Sequence, residues 1–247
     1  LIMDYLNKKI NLKNIFFSAS PGLISIFLTF LSLPVYLQYL SPSYYSAFLI
    51  SHIFLSLSLV FNFNIGKVAS IKIQNKNKNI KSKIIINALY LSLIIALISS
   101  FIIIFFISKI FSNEKEINFF SIFIGFIISI LFINTEAIAK GLGKFKIVAI
   151  TNLLFYGFSI SAPSFFILIN NDIIHIEALN LFNISIIFKI ISLIIIILSI
   201  NRYLLIRNKI SKKIILSFRN QSLWMTLSNS YNQIFDYMDK YLIKLFL

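Results

Sequence analysis

Long apolar runs separated by short polar gaps dominate this sequence. Six of the runs exceed the roughly 20 residues that a helix needs to cross a bilayer. They predict membrane-spanning helices at residues 15–40, 44–66, 84–107, 117–139, 147–169 and 176–200. A seventh run begins near residue 221 and is unfinished at Leu247. The pattern therefore predicts an all-α, polytopic helical membrane protein.

The spacing of the runs divides the chain into three regions. We predict a six-helix transmembrane lobe at residues 1–200, a basic cytoplasmic linker at 201–220, and the start of a second lobe at 221–247. The last region would be the beginning of transmembrane helix 7. Because the chain stops inside that span, we expect it to be a partial or truncated product.

Composition narrows the chemistry that this protein can perform. The chain is 58% hydrophobic and 13% charged, with a mean hydropathy of +0.89. The absence of Cys excludes disulfides and Cys-based metal sites, and two isolated His residues do not form a metal site. The sequence has neither a catalytic triad nor paired carboxylates in a loop large enough to hold a hydrolytic site. We therefore predict no enzyme activity, no catalytic residues, no metal and no cofactor.

The positive charges are distributed unevenly along the chain. The formal net charge is +15, which in a soluble protein would suggest a nucleic-acid partner. Here 18 Lys and Arg residues lie in the amino-terminal arm and in alternate gaps, whereas the other gaps hold Lys109 and Lys115. Because positive residues are retained on the cytoplasmic side, this bias predicts a cytoplasmic amino terminus and no nucleic-acid binding.

Lys189 lies midway along the sixth predicted span, in otherwise apolar surroundings. A cation at that depth costs roughly 2.5 kcal/mol or more unless it faces protein or water. It is a candidate for contacting a phosphate from a cavity wall. Snorkelling or an ion pair with Glu136 is the alternative, and the sequence leaves both open.

A second group of charges occurs in the seventh predicted span. Asp236 and Asp239 are three residues apart and Lys240 is four beyond Asp236, so all three share one helix face. They form either a gate or ion-coupling cluster, or a structural pair that holds one lobe to the other.

Glu136 and the glycines that follow it lie near the inner end of the fourth predicted span. Glu136 is either a cavity residue or the partner of Lys140 in an (i, i+4) ion pair. Gly141-Leu-Gly143 lacks the strand and the flanking residues of a phosphate-binding loop, and it predicts a helix-ending turn.

Four segments carry a likeness to known transporters. They are residues 33–48 (LPVYL followed by PSYYSAF), 62–69 (NFNIGKVA), 136–145 (EAIAKGLGKF) and 224–240, which begins Trp-Met-Thr and ends Asp-Lys. In order and spacing they resemble Wzx-type polysaccharide repeat-unit flippases of the multidrug/oligosaccharidyl-lipid/polysaccharide exporter superfamily. The last segment is the most specific, whereas Asn64 stands where the family commonly has an acid.

The resemblance implies a transporter that flips an undecaprenyl-pyrophosphate-linked oligosaccharide, an O-antigen or capsular repeat unit, across the bacterial inner membrane by alternating access. Its partners would be that lipid-linked glycan and the bilayer, with a polysaccharide polymerase complex and coupling to H⁺ or Na⁺ left open. Two six-helix lobes would surround a cationic cavity. The candidate cavity residues are Lys189, Asp236, Asp239, Lys240 and Glu136.

Two other functions remain as alternatives. Cation-coupled drug exporters of the MATE type often carry an ion-binding Asp in the first helix, but residues 15–40 contain no carboxylate. A membrane polymerase or ligase of polysaccharide assembly needs a large outer loop with charged clusters. The outer gaps of this chain are short, so the transporter remains the preferred hypothesis.

Overall fold

The structure is a computed structural model that describes residues 12–111, 117–169, 178–206 and 210–226. The protein is all-helical, with 89% of residues in helices and no strand within these ranges. The helices are α1 (Leu12–Tyr39), α2 (Pro42–Ser56), α3 (Ser58–Phe61), α4 (Ile65–Lys72), α5 (Lys78–Ile110), α6 (Phe119–Gly141), α7 (Phe145–Asn152), α8 (Ser159–Ile169), α9 (Ala178–Leu204) and α10 (212–226). A π-helical turn, Leu153–Phe158, joins α7 to α8.

Six stretches are long and apolar enough to cross a membrane, which confirms the predicted fold class of a multi-pass helical membrane protein. They are Ala19–Tyr39, Pro42–Phe61, Lys78–Ile110, Phe119–Gly141, Phe145–Ile169 and Leu181–Leu204. Each coincides with one predicted span. The seventh predicted span starts inside α10, and its remainder lies outside the described residues.

The second span differs from the prediction of a continuous helix to Gly66. Helix α3 ends at Phe61, and Phe63 and Asn64 adopt left-handed backbone conformations with φ of 53° and 51°. The Asn62 side chain supports this break, because its Oδ1 atom accepts a 2.7 Å hydrogen bond from the Asn64 backbone N–H. Asparagine tolerates the left-handed region and competes with the helix for backbone hydrogen bonds. The polar gap predicted after this span is partly helical, since it contains α4 and the first turns of α5.

Helix α6 is the centre of the bundle. Of the 18 most apolar consecutive residues in its span, 67% are buried, against 22–44% in the other five spans. It packs against α5, α9 and α4, with further contacts to α2, α3 and α7. Its fully buried side chains include Ile122, Phe126, Ile130, Phe132 and Ile138. Polar groups on α6 are therefore held away from lipid.

The fifth span contains an irregular turn where it meets α1. A Cβ atom on Gly157, in the π-helical turn, would lie 3.0 Å from Ser25 Oγ on α1. The Tyr36 hydroxyl of α1 donates a hydrogen bond to the Ile160 carbonyl. Pro163 lies inside α8 and has no N–H to donate. The carbonyl four residues before Pro163 therefore lacks its usual helical donor. In a membrane helix, neighbouring groups can hydrogen-bond to such a carbonyl.

Helix α10 docks on the end of the lobe that carries the basic segments. The Ser211 N–H donates to Asn87 Oδ1 at 2.7 Å, and Lys72 Nζ donates to Ser217 Oγ at 2.7 Å. Phe218 is fully buried, with the Lys72 ammonium 4.8 Å from its ring centroid. Burial lowers the pKa of the Lys72 ammonium. Residues 211–218 of the predicted linker therefore pack against the lobe.

Candidate functional site

The break in the second span opens onto a cavity of about 330 Å³, here called the polar cavity. It lies between α3, helix α4, the carboxyl-terminal half of α6 and the π-helical turn. Its lining residues are Leu59, Asn62, Asn64, Lys67, Ser70, Ile133, Asn134, Glu136, Ala137, Lys140 and Tyr156. Three amides and three charged groups therefore meet in an otherwise apolar bundle.

Asn134 fixes the shape of this cavity. Its Oδ1 atom accepts a hydrogen bond from the Gly66 N–H at 2.7 Å, and its Nδ2 donates to the carbonyls of Asn62 and Ile130, each at 3.2 Å. The side chain is 1% exposed. A buried amide with all of these bonds made holds both sides of the helix break against α6. The sequence analysis did not single out Asn134, although an amide within an apolar span is a detectable signal.

Glu136 is the only carboxylate within the described ranges. Its Oε1 atom lies 2.6 Å from Lys140 Nζ and accepts a 2.8 Å hydrogen bond from Asn152 Nδ2. The (i, i+4) ion pair with Lys140 is thus present, and Glu136 also lines the polar cavity. Lys67 also lines the polar cavity, and no described carboxylate pairs with it. The described lining therefore carries two cations and one anion.

The glycines after Glu136 set the position of Lys140. Gly143 has φ of +76°, the Lys144 N–H donates to the Ala139 carbonyl, and the Gly143 N–H donates to the Lys140 carbonyl. Two hydrogen bonds of this kind, with a glycine in the left-handed conformation, are a common way for a helix to end. The predicted helix-ending turn is therefore confirmed. Gly141 also lets α4 approach closely, because a Cβ on it would lie 2.7 Å from the Ser70 Cβ.

Lys189 occupies a different place from the polar cavity. It is 6% exposed, and its Nζ lies 3.9 Å from the centroid of the Phe155 ring and 3.4 Å from the Phe155 carbonyl oxygen. The Phe155 ring stacks in turn on Phe132 at 3.9 Å. Glu136 pairs with Lys140 rather than with Lys189. The structure therefore surrounds this cation with an aromatic face and a carbonyl of the π-helical turn.

The predicted residues Asp236, Asp239 and Lys240 lie outside the described residues. The beginning of their segment is described, and there the Thr226 hydroxyl oxygen accepts a 3.4 Å hydrogen bond from Asn64 Nδ2. Segments 62–69, 136–145 and the start of 224–240 thus meet at one end of the lobe.

A second cavity, here called the apolar groove, lies between α1 and the segment that contains Tyr156 and Ile160. Its volume is also about 330 Å³. Its lining residues are Ser25, Ile26, Thr29, Phe30, Leu33, Tyr156 and Ile160. Tyr156 lines both this groove and the polar cavity.

Comparisons with protein-family models, with curated proteins and with solved structures find no match to this chain. Within the described ranges, no three His, Cys, Asp or Glu side chains lie together as a metal site would require. What the polar cavity can bind therefore follows from its own groups. Paired ammonium groups bind phosphate, and amides bind hydroxyls or phosphate oxygens.

Proposed function

We propose that this chain is a lobe of a Wzx-type flippase that moves an undecaprenyl-pyrophosphate-linked oligosaccharide across the bacterial inner membrane. The observation that carries the proposal is the polar cavity at the broken second span. The chain would act by alternating access without covalent chemistry. The cavity would take the charged, hydroxyl-rich part of this cargo.

The broken helix supports a transport role on physical grounds. Irregular backbone and charged groups are tolerated at membrane depth only where protein or a water-filled cavity satisfies them. Asn62 and Asn64 are bonded within the break, and both also line the polar cavity. Many transporters bind their substrate where a membrane helix is interrupted near the bilayer midplane, whereas the interruption here follows Phe61, at the end of the second apolar stretch.

The charges favour an anionic cargo. Lys67 and Lys140 line the same cavity, and Glu136 already shares one oxygen between Lys140 and Asn152. A pyrophosphate would therefore meet a net positive wall. Ammonium groups act on phosphate as point charges without demanding one fixed geometry, which suits a cargo that must also leave. The MATE-type alternative would instead favour a cavity dominated by carboxylates.

The resemblance gains support from the contacts among its segments. Asn64 of the second segment bonds to Thr226 of the fourth, and Gly141 of the third packs on Ser70, next to the second. Segments that are distant in sequence thus lie together beside the polar cavity. The basic residues of this end favour, under the positive-inside bias, a cytoplasmic amino terminus.

Flipping by a complete two-lobe protein that contains this lobe, reconstituted in liposomes, tests this function. Proteoliposomes would hold a polyprenyl-pyrophosphate oligosaccharide, and a membrane-impermeant glycosidase would report which leaflet holds the sugar. We expect protein-dependent transfer that the double variant K67Q/K140Q reduces about tenfold or more, the factor expected for one lost charge-assisted hydrogen bond. The matched control is K109Q, because Lys109 lies in the last turn of α5 and is not among the residues that line the polar cavity. Transfer no faster than in protein-free liposomes would overturn the proposal.

A further inference from the structure

The break in the second span replaces helical hydrogen bonds with bonds to amide side chains. In a continuous α-helix the Gly66 N–H would bond to the Asn62 carbonyl, four residues earlier. Here the Asn134 amide bonds to both of these groups. Its Oδ1 atom accepts from the Gly66 N–H at 2.7 Å, and its Nδ2 donates to the Asn62 carbonyl at 3.2 Å. One side chain of α6 therefore occupies both ends of a bond that the uninterrupted helix would form.

The Asn62 side chain makes a similar substitution within the break. Its Nδ2 donates to the Leu59 carbonyl at 2.5 Å, and its Oδ1 accepts from the Asn64 N–H at 2.7 Å. In a continuous helix the Leu59 carbonyl would accept from Phe63 instead. The Asn64 N–H would donate to the carbonyl of Val60. Two amide side chains thus satisfy backbone groups that the uninterrupted helix would satisfy by itself.

The residues of the break are compatible with the continuous helix. Residues 58–65 contain neither Gly nor Pro. The left-handed conformations of Phe63 and Asn64 are unfavourable for L-residues, and most of all for a bulky one such as Phe63. A few residues that absorb a large change of φ and ψ are the usual form of a hinge. We infer that residues 62–66 are a two-state hinge, broken in this structure and continuous in a second conformation, with Asn134 as its latch.

Packing of α4 favours the broken conformation. Ile65, Val68 and Ala69 are each at most 2% exposed. A continuous helix would turn α4 in another direction and separate these side chains from their neighbours, with loss of their contacts. It would also take Lys67 out of the polar cavity. The hinge therefore assembles and dismantles that cavity, whichever ligand the cavity takes.

Helix α10 is placed to bias this hinge. Lys72 Nζ, at the end of α4, donates to Ser217 Oγ at 2.7 Å and lies 4.8 Å from the centroid of the buried Phe218 ring. Asn64, inside the hinge, donates to Thr226 Oγ1 at 3.4 Å. Because α10 holds both ends of α4, its docking favours the broken conformation. Its release should favour the continuous one.

Distances between two spin labels test the hinge, since the native chain contains no Cys. The labels would be placed on α4 at Ile71, which is 56% exposed, and on α7 at the exposed Lys146, in the full chain in nanodiscs. Ile71 lies roughly 10 Å along the helix from Asn64, so a swing of about 30° moves its label by about 5 Å. Asn134→Leu removes the latch and should add a second distance population shifted by at least that amount. Thr135→Val is the control, because its hydroxyl bonds within α6.

Amide exchange and a variant of α10 complete the test. In the continuous helix the Gly66 N–H bonds to the Asn62 carbonyl, so its protection from exchange should persist in Asn134→Leu. Phe218→Ser should undock α10 and enlarge the second population. Leu216→Ser, at a 51% exposed position of the same helix, should leave the distances unchanged.

The inference fails if the distance stays single in both N134L and F218S, because the break would then be rigid. It also fails if the distance shifts while Gly66 loses its protection, because the segment would then unfold rather than straighten. Equal shifts in T135V and L216S would show that general destabilisation moves α4. A shift in N134L but not in F218S would reject the bias by α10. If N134L does not fold, F218S and the exchange at Gly66 decide among the same outcomes.

Discussion

Gly66 donates its backbone N–H to Asn134 Oδ1 at 2.7 Å, and a Cβ atom on Gly66 would lie 2.2 Å from the Asn134 carbonyl oxygen. Helices α4 and α6 are therefore in backbone contact at the wall of the polar cavity. Small residues allow this approach in membrane bundles, where packing and hydrogen bonds replace the hydrophobic effect between helices. The cavity keeps its shape only while this contact is made.

Gly66→Ala should separate α4 from α6. The added methyl has only backbone to displace, so we expect a loss of about 1–3 kcal/mol or more in the free energy of unfolding. Thermal unfolding in detergent measures it. Gly22→Ala is the control, because its Cβ would meet nothing within 4 Å. That variant should be neutral or up to about 1 kcal/mol more stable, since alanine favours a helix. Equal stability of the two variants would contradict the close approach.

The orientation of the lobe can be tested with single cysteines, because the native chain contains none. The variants are Ser43→Cys, in the first turn of α2, and Asn77→Cys, which caps α5. With a cytoplasmic amino terminus, an impermeant maleimide applied to intact cells should label residue 43 and not residue 77. Disrupted cells serve as the control, in which both residues should react. Labelling of residue 77 alone would invert the topology.

The spans were predictable because crossing a bilayer depends chiefly on length and apolarity, which can be read along the chain. The end of the fourth span was equally predictable, since a left-handed position favours glycine and Gly143 supplies it. Glu136 and Lys140 share a helix face at four-residue spacing, so their ion pair followed from helix geometry.

The break in the second span had a weaker signal. Asn62 and Asn64 favour the end of a helix, but residues 44–65 contain no Gly or Pro. The left-handed turn forms where Asn134, 72 residues away from Asn62, hydrogen-bonds to both sides of it. The role of Lys67 was hidden for the same reason. In sequence it belongs to a basic gap, and only the packing of α4 on α6 turns it towards the cavity.

Removing a positive charge and removing a negative charge from the polar cavity should have opposite effects on anion binding. Lys67→Gln removes a cation and should weaken binding of a polyprenyl pyrophosphate. Glu136→Gln removes the described anion but keeps an amide oxygen for Asn152, so it should fold normally and bind the same lipid more tightly. Binding to protein in nanodiscs, measured at two salt concentrations, checks both, because screening should shrink each difference. If both variants bound the lipid more tightly, or both bound it less tightly, the lining residues would not act on binding through their charge.

Helix α10 should be linkable to the lobe at the cavity rim. Asn64 Nδ2 lies 3.4 Å from Thr226 Oγ1, so the two side chains are in contact and N64C/T226C should be linked by a short, reducible bis-methanethiosulfonate reagent. The control pair is N64C/W224C, because Trp224 is 75% exposed. If α10 moves against the lobe during transport, the linked protein should stop flipping and recover after reduction. Full activity of the linked protein would show that this contact persists through the cycle.

Lys189→Met should preserve both the fold and the flipping activity. The Lys189 ammonium is enclosed by the ring and carbonyl of Phe155 and is not part of the polar cavity lining. Replacing even a buried ion pair with apolar side chains of similar size is often neutral or stabilising by about 1–4 kcal/mol, and no described carboxylate offsets the cost of burying Lys189.

Thermal unfolding and the flipping assay together check this expectation. The control is Lys109→Met, whose ammonium lies 4.4 Å from the Phe105 ring at an exposed helix end and should change little. If K189M unfolds at the native temperature but no longer flips its cargo, Lys189 belongs to the cargo path rather than to the packing of the π-helical turn.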